Sequence, residues 1–329
     1  MPRLITILHQ RGLHLPEHGL WLDPHHGKPL AFVSHAHSDH IARHREVLMT
    51  AATARFMHER LGGKRAEHIA AFRETREFAA GRVTLLPAGH ILGSAQLYFE
   101  TDAGSLLYTG DFKLAPGLAS ERCEWCRADT LVMETTFGLP RYVMPPRAEV
   151  GTRIVNFCRE TFDADAVPVL LGYSLGKAQE ILRIIFDAGL TPMLHESVWK
   201  MTAIHRELCA DFPAGGVRFR ASSAKGHVVV FPPNASNSPE LEKIGARRTA
   251  ILTGWALDPG AKYRARCDEA FPLSDHADYG ELLRYVELVQ PKRVLTVHGF
   301  AAEFAADLRR RGIEAWALAQ ENQLGFRLA

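Results

Sequence analysis

The chain has 329 residues, 47% of them hydrophobic and 23% charged, with a formal net charge of +2. That length supports one large domain or two modest ones with real cores, and the composition is that of a globular chain rather than a disordered or fibrous one. Near-neutrality excludes bulk charge as the means of holding a polyanion, so any nucleic-acid contact has to come from local patches.

At the start, Met1-Pro2-Arg3-Leu4-Ile5 lacks the longer apolar core of a signal peptide. No run reaches transmembrane length, so a cytoplasmic location without a membrane partner is expected. The apolar run Leu30-Ala31-Phe32-Val33 reads as a buried strand, and Ser34-His35-Ala36-His37-Ser38-Asp39-His40 follows it directly. His35 and His37, two apart, would face one way while Asp39 and His40 turn toward a neighbouring site. Three imidazoles and a carboxylate suit zinc or a similar first-row divalent ion.

Further apolar runs end in ligand-type residues. Val83-Thr84-Leu85-Leu86 leads to Gly89-His90, Leu106-Leu107-Tyr108 to Gly110-Asp111, Leu131-Val132-Met133 to Glu134, and Val294-Leu295-Thr296-Val297 to His298-Gly299. Strands buried on both faces with chemistry at their ends imply a mixed α/β architecture. Two helices are expected, Ala178 to Ala188 closed by Gly189, and Tyr279 to Gln290 opened by an Asp278/Glu281 capping box. Pro140 to Pro146 reads as a linker. Cys123 and Cys126 form a C-x-x-C without a second pair, which points to reduced thiols rather than a four-cysteine metal site. His25, His26, His44 and His58 are expected at the surface.

The combination of H-x-H-x-D-H, Gly-His, a strand-terminal Gly-Asp and a late Val-His-Gly resembles the metallo-β-lactamase superfamily. The resemblance implies an αββα sandwich with two divalent metals at one edge. Glu134 in Glu134-Thr135-Thr136-Phe137-Gly138, His276 in Ser274-Asp275-His276-Ala277-Asp278, and His298 resemble the three signature positions of the β-CASP nucleases. That implies an inserted α/β domain over residues 140–266, between a first part at 1–139 and a C-terminal part at 267–329. Gly172-Tyr173-Ser174-Leu175-Gly176-Lys177 and Thr253-Gly254-Trp255-Ala256 are similar to segments of that insert. Glu134 through Leu139-Pro140, with the short length, resembles bacterial DNA-ligase-associated exonucleases, which implies single-stranded DNA as substrate and a DNA ligase or helicase as partner. A histidine at position 298 is similar to the RNA-processing branch, so RNA stays open.

Position by position, the resemblance implies a first metal on His35, His37 and His90, and a second on Asp39, His40 and His298, with Asp111 bridging. Asp23 would orient ligand histidines. Asp39, Asp111, Glu134 and His276 are the implied catalytic residues, His276 touching the scissile phosphate while Glu134 holds it in the donor form. Zinc is favoured and manganese is the alternative. Ser174, Gly176 and Lys177 stand at a helix N-terminus and are phosphate-binding candidates. Lys262, Arg264 and Arg266 around Tyr263 form a second basic stretch. Two readings from other classes compete: a small-molecule metallohydrolase, which would not need Glu134, His276 or so long an insert, and a non-catalytic nucleic-acid scaffold, which would not keep every ligand.

Overall fold

The computed structural model describes residues 4–9 and 12–318. The chain divides into two compact units, one of residues up to 143 together with those from 276, the other of residues 144–275.

The first unit is built on two sheets. One has six strands in sequence order, Leu8–His9, Leu13–Leu15, Leu20–Leu22, Leu30–Phe32, Glu46–Met49 and Ala66–Ile69. The other has seven, in the order Ala315–Ala317, Arg293–Val297, Thr130–Glu134, Gly104–Tyr108, Ala95–Thr101, Gly81–Pro87 and Thr75–Phe78. The apolar runs of the sequence are continuous because both faces of the second sheet are covered. Along Thr130–Glu134, Val132 packs with Phe32, Leu48 and Leu22 of the first sheet. Its neighbours Leu131 and Met133 turn the other way, against Leu282, Tyr285 and Phe304 of the helices Tyr279–Val289 and Ala301–Arg310. Side chains of a strand alternate between faces, so a strand sandwiched this way must be apolar at every position. The helix Ala51–Leu61 lies against Ala66–Ile69 of the first sheet, and the layers together make the αββα sandwich.

Local signals set the helix ends. Asp278 accepts from the Glu281 amide at 2.9 Å and Glu281 accepts from the Asp278 amide at 3.0 Å, closing the capping box. This helix stops at Val289 because Gln290 adopts a left-handed conformation.

The second unit carries a six-stranded sheet, paired in parallel throughout, in the order Val217–Arg218, Pro192–Leu194, Val228–Phe231, Val167–Leu171, Arg247–Leu252 and Glu269–Phe271. Its chain begins later than residue 140 and runs past residue 266. The strand Glu269–Phe271 extends the sheet by pairing with Arg247–Leu252, which keeps residues 267–275 with this unit. The helix Lys177–Asp187 ends with Gly189 in the left-handed region, its amide on Phe186 O at 3.0 Å. Among the described residues no helix is long and apolar enough to cross a membrane.

Candidate metal centre and active site

All site residues of the first unit leave the ends of strands. His35, His37, Asp39 and His40 follow Leu30–Phe32, His90 follows Gly81–Pro87, Asp111 follows Gly104–Tyr108, and His298 follows Arg293–Val297. The loops turn where glycine permits it. Gly89 has φ +77°, and a Cβ there would stand 2.4 Å from Lys113 O. Gly299 has φ +56°, and a Cβ would stand 2.4 Å from Thr136 Cα. A side chain at either would push apart the loops that bring the ligands together.

His35, His37, His90 and Asp111 place one ligand atom each within 4.8 Å of the others. His37 Nδ1 is 3.1 Å from both His35 Nε2 and His90 Nε2. A tetrahedral ion with nitrogen bonds of ~2.0–2.1 Å holds its ligand nitrogens roughly 3.3 Å apart. These imidazoles already stand at chelating separation. Asp111 Oδ2 lies 3.2 Å from His40 Nε2, 3.6 Å from His35 Nε2 and 3.9 Å from His90 Nε2, so one carboxylate oxygen faces three rings. Asp39 Oδ2 comes within 3.9 Å of His40 Nε2 from an exposed side chain. His298 stands further off, its ring centroid 6.0 Å from that of His40.

The tautomers follow from what lies behind the rings. Asp23 is buried and accepts the Ser34 amide at 2.7 Å, the Ser34 hydroxyl at 2.5 Å, the Tyr108 hydroxyl at 2.8 Å and His40 Nδ1–H at 3.0 Å. A carboxylate only accepts, so the His40 proton sits on Nδ1 and Nε2 presents its lone pair toward Asp111 when the ring is neutral. Ser34 gives its hydroxyl proton to Asp23, so its oxygen accepts from His35 Nδ1–H at 2.9 Å and leaves His35 Nε2 as the donor atom. One carboxylate thus sets two ligand rings, one directly and one through a serine. Ser34 and Tyr108 were not singled out by the sequence. Their signal is weak, a serine directly before the first histidine and a tyrosine closing a strand.

Burial, then the neighbouring rings of His40, His90 and His37, hold the His35 pKa well below its usual value, the state a metal ligand requires. Burial works against charge on His40, but the Asp111 and Asp23 carboxylates outweigh it and raise its pKa well above normal. Burial likewise disfavours charge on Asp111, yet His40, His276 and His35 hold its carboxyl well below the usual range.

Beside this cluster, Asp111, Glu134 and His276 bring ligand atoms within 4.8 Å. His276 Nδ1–H donates to Glu134 Oε1 at 2.8 Å, and its ring centroid is 4.6 Å from that of His90. Glu134 is fully buried and also accepts the Phe112 amide at 3.0 Å, the Thr136 amide at 3.2 Å and the Thr136 hydroxyl. These bonds fix the carboxylate, which in turn fixes the imidazole.

In the second unit, the helix N-terminus at Lys177 is occupied from within. Gln179 Oε1 accepts the Gly176 amide at 2.7 Å, and Ser174 Oγ is 2.8 Å from Ser197 Oγ. The Lys177 side chain is 2% exposed, with Nζ 2.9 Å from Asp275 Oδ1, so its charge has an internal partner. His25, His26 and His58 are exposed as expected. His44 is not: it is 3% exposed because Nδ1 accepts the Lys28 amide at 3.2 Å while the Arg45 amide bonds Lys28 O at 3.0 Å, which pulls the ring inward. All five cysteines are free thiols. Burial pushes Cys126 up to about 12, a protonated state that does not suit a metal ligand.

Residues 262–318 match the family described as Zn-dependent metallo-hydrolase RNA specificity domain. Over 315 residues the chain is 53% identical to a "Probable DNA ligase" of Opitutus terrae, covering 95% of this chain and 31% of that protein. It is 31% identical over 291 residues to "5' exonuclease Apollo" of Gallus gallus, covering 82% of this chain and 59% of the relative. These similarities are to proteins of the metallo-β-lactamase-fold β-CASP group. The chain spans less than two thirds of the length of these curated relatives, about a third of the first. A solved protein of unknown function from Enterococcus faecalis V583 shares the fold, with a TM-score of 0.61 at 14% identity, covering 89% of this chain and 79% of that one. The histidine–aspartate cluster offers the donor atoms that a divalent metal would need, in keeping with a family described as zinc-dependent.

Proposed function

We propose that the protein is a two-metal phosphodiesterase acting on nucleic acid, a single-strand DNA exonuclease of DNA repair. The observation that carries this reading is the Glu134–His276 pair set against a chelating His/Asp cluster. A small-ester hydrolase needs only the cluster. A buried carboxylate orienting an imidazole beside it adds a proton donor for an alkoxide leaving group.

His35, His37 and His90 would hold one ion and Asp39, His40 and His298 the other, with Asp111 shared, zinc first and manganese the alternative. When bound, the ions supply Lewis acidity toward phosphate oxygens and toward water. Asp111 is placed to accept a proton from the attacking water, one of its carboxylate oxygens facing three rings. His276, its Nδ1–H anchored on Glu134, presents Nε2 to the scissile phosphate and protonates the departing oxygen. Asp23, Ser34 and Tyr108 hold ligand rings in their donor tautomers.

Similarity to a probable DNA ligase over nearly the whole chain supports work beside a ligase on DNA ends, and the Apollo relative is named a 5' exonuclease. One observation favours RNA, the match of residues 262–318 to a family described by RNA specificity. The test is a cleavage assay of matched single-stranded DNA and RNA oligonucleotides, labelled at either end, with manganese or zinc and an Asp111→Ala control. Stepwise shortening of DNA alone supports the proposal and shows its polarity. Preferential loss of RNA moves the protein to the second reading, and cleavage of neither with metal bound sinks both.

A further inference from the structure

Resting on the nuclease reading, we infer that Arg141 contacts the backbone phosphate of a nucleotide next to the one being cleaved. An aromatic series leads to it from the site, within the first unit. The Phe137 ring is 6.2 Å from that of His276 and 5.3 Å from that of Tyr142, and Tyr142 stacks on Phe300 at 5.5 Å and 27°. Arg141 lies on the outer side of this series, its guanidinium carbon 4.9 Å from the Tyr142 ring and 5.8 Å from the Phe300 ring.

The series is anchored to the loops that carry His276 and His298. The Phe300 amide, two residues beyond His298, donates to Thr135 O at 2.9 Å. Tyr142 O accepts the Tyr279 amide at 3.0 Å, three residues beyond His276. Phe137 and Tyr142 are buried, at 2% and 5% exposure, so the platform under the guanidinium is rigid.

Arg141 itself is exposed, and no carboxylate among the described residues pairs with it. Among the described residues its one side-chain hydrogen bond runs to the Tyr142 hydroxyl at 3.1 Å. An arginine stacked on rings gives up its face and keeps its N–H edge, the edge that reads phosphate in a two-pronged way. An ordered cation without an acid among the described residues, two rings away from the proposed phosphate-contacting histidine, fits a polyanion that continues past the scissile bond. A substrate with a single phosphate would have nothing to place there.

The test uses the full chain, a single-stranded oligonucleotide and manganese, and compares Arg141→Gln with Arg141→Lys. Arg141→Gln keeps a polar side chain over the rings and removes the charge. It should raise KM roughly three- to tenfold with kcat within about twofold. It should also reduce the slope of log binding constant against log salt by about 0.7, the share of one phosphate on a single strand. Arg141→Lys should keep most of the slope. Wild-type KM and slope in Arg141→Gln would overturn the inference while leaving the nuclease reading intact, as would a fall confined to kcat. A wild-type protein that binds metal but cleaves no oligonucleotide would sink the nuclease reading and this inference with it.

Discussion

Imidazoles are buried in two very different ways in this protein. In the cluster of the first unit, His35 and His40 are almost inaccessible and are backed or faced by Asp23 and Asp111. In the second unit, His205 is 1% exposed, packs on the Phe212 ring at 4.5 Å and, among the described residues, has no hydrogen-bond partner on either nitrogen. Burial, then the nearby charges of Arg183 and Arg206, lowers its pKa to about 4. Low accessibility alone makes a histidine neutral and inert. A carboxylate behind or before the ring is what assigns its tautomer and turns it into a ligand or a proton donor.

Removing the shared carboxylate breaks that difference most severely. Asp111→Ala should lower turnover at least ~10³-fold and reduce bound metal, since the rings it faces lose their common anion. Metal content of the purified protein and single-turnover cleavage report the two effects separately. Full metal content in this variant would show that Asp111 is not a ligand.

The second carboxylate–imidazole pair should act on chemistry and spare the metal. His276→Ala is expected to cost roughly 10²–10⁴ in kcat with both ions retained, and Glu134→Gln somewhat less. Loss of an ion from His276→Ala would show that this ring is a ligand and that the division of roles is wrong.

Tyr108→Phe is a finer cut, deleting one hydroxyl from the four groups around Asp23. Metal affinity should fall by about tenfold, the lower end for partners that orient ligands, with folding kept. Calorimetric titration of the metal-free protein measures it, and an unchanged affinity would show that Ser34 and His40 hold Asp23 without help.

The last effect touches stability and not the cluster, and belongs to the histidine without a carboxylate. Folded His205 stays neutral down to about pH 4, whereas the unfolded chain takes up the proton near 6.5. Its contribution to stability is therefore fully present above 6.5, declines as pH falls toward 4 and is flat below. The loss amounts to about 3 kcal/mol at most, and His205→Leu should remove that part of the pH dependence. Melting curves of both proteins at pH 7.5 and 5 would show it, and parallel shifts would place the effect elsewhere.

Much of the site could be read along the chain because each ligand is announced by a strand ending beside it. The apolar run, the turn and the histidine or aspartate lie within ten residues, as at Leu30–His40 or Leu106–Asp111. The supporting groups could not be read this way. Tyr108 reaches Asp23, and Thr136 reaches Glu134, through contacts that only the folded loops create. Lys177 reads along the chain as a phosphate-binding candidate at a helix start, but its pairing with Asp275 depends on a residue at the far end of the second unit. His44 looked like surface until the backbone of Lys28 closed on it.

By itself the sequence determined the mixed α/β class and which ligand-type side chains stand at strand ends, because periodicity and residue chemistry are local properties; the order of the layers came from the resemblance. The tertiary structure alone decided which nitrogen of each histidine faces the cluster, which charges are already satisfied and where a cation stands ready without an acid. Those outcomes depend on hydrogen-bond partners brought in from distant strands, and such partners exist only once the sheets have packed.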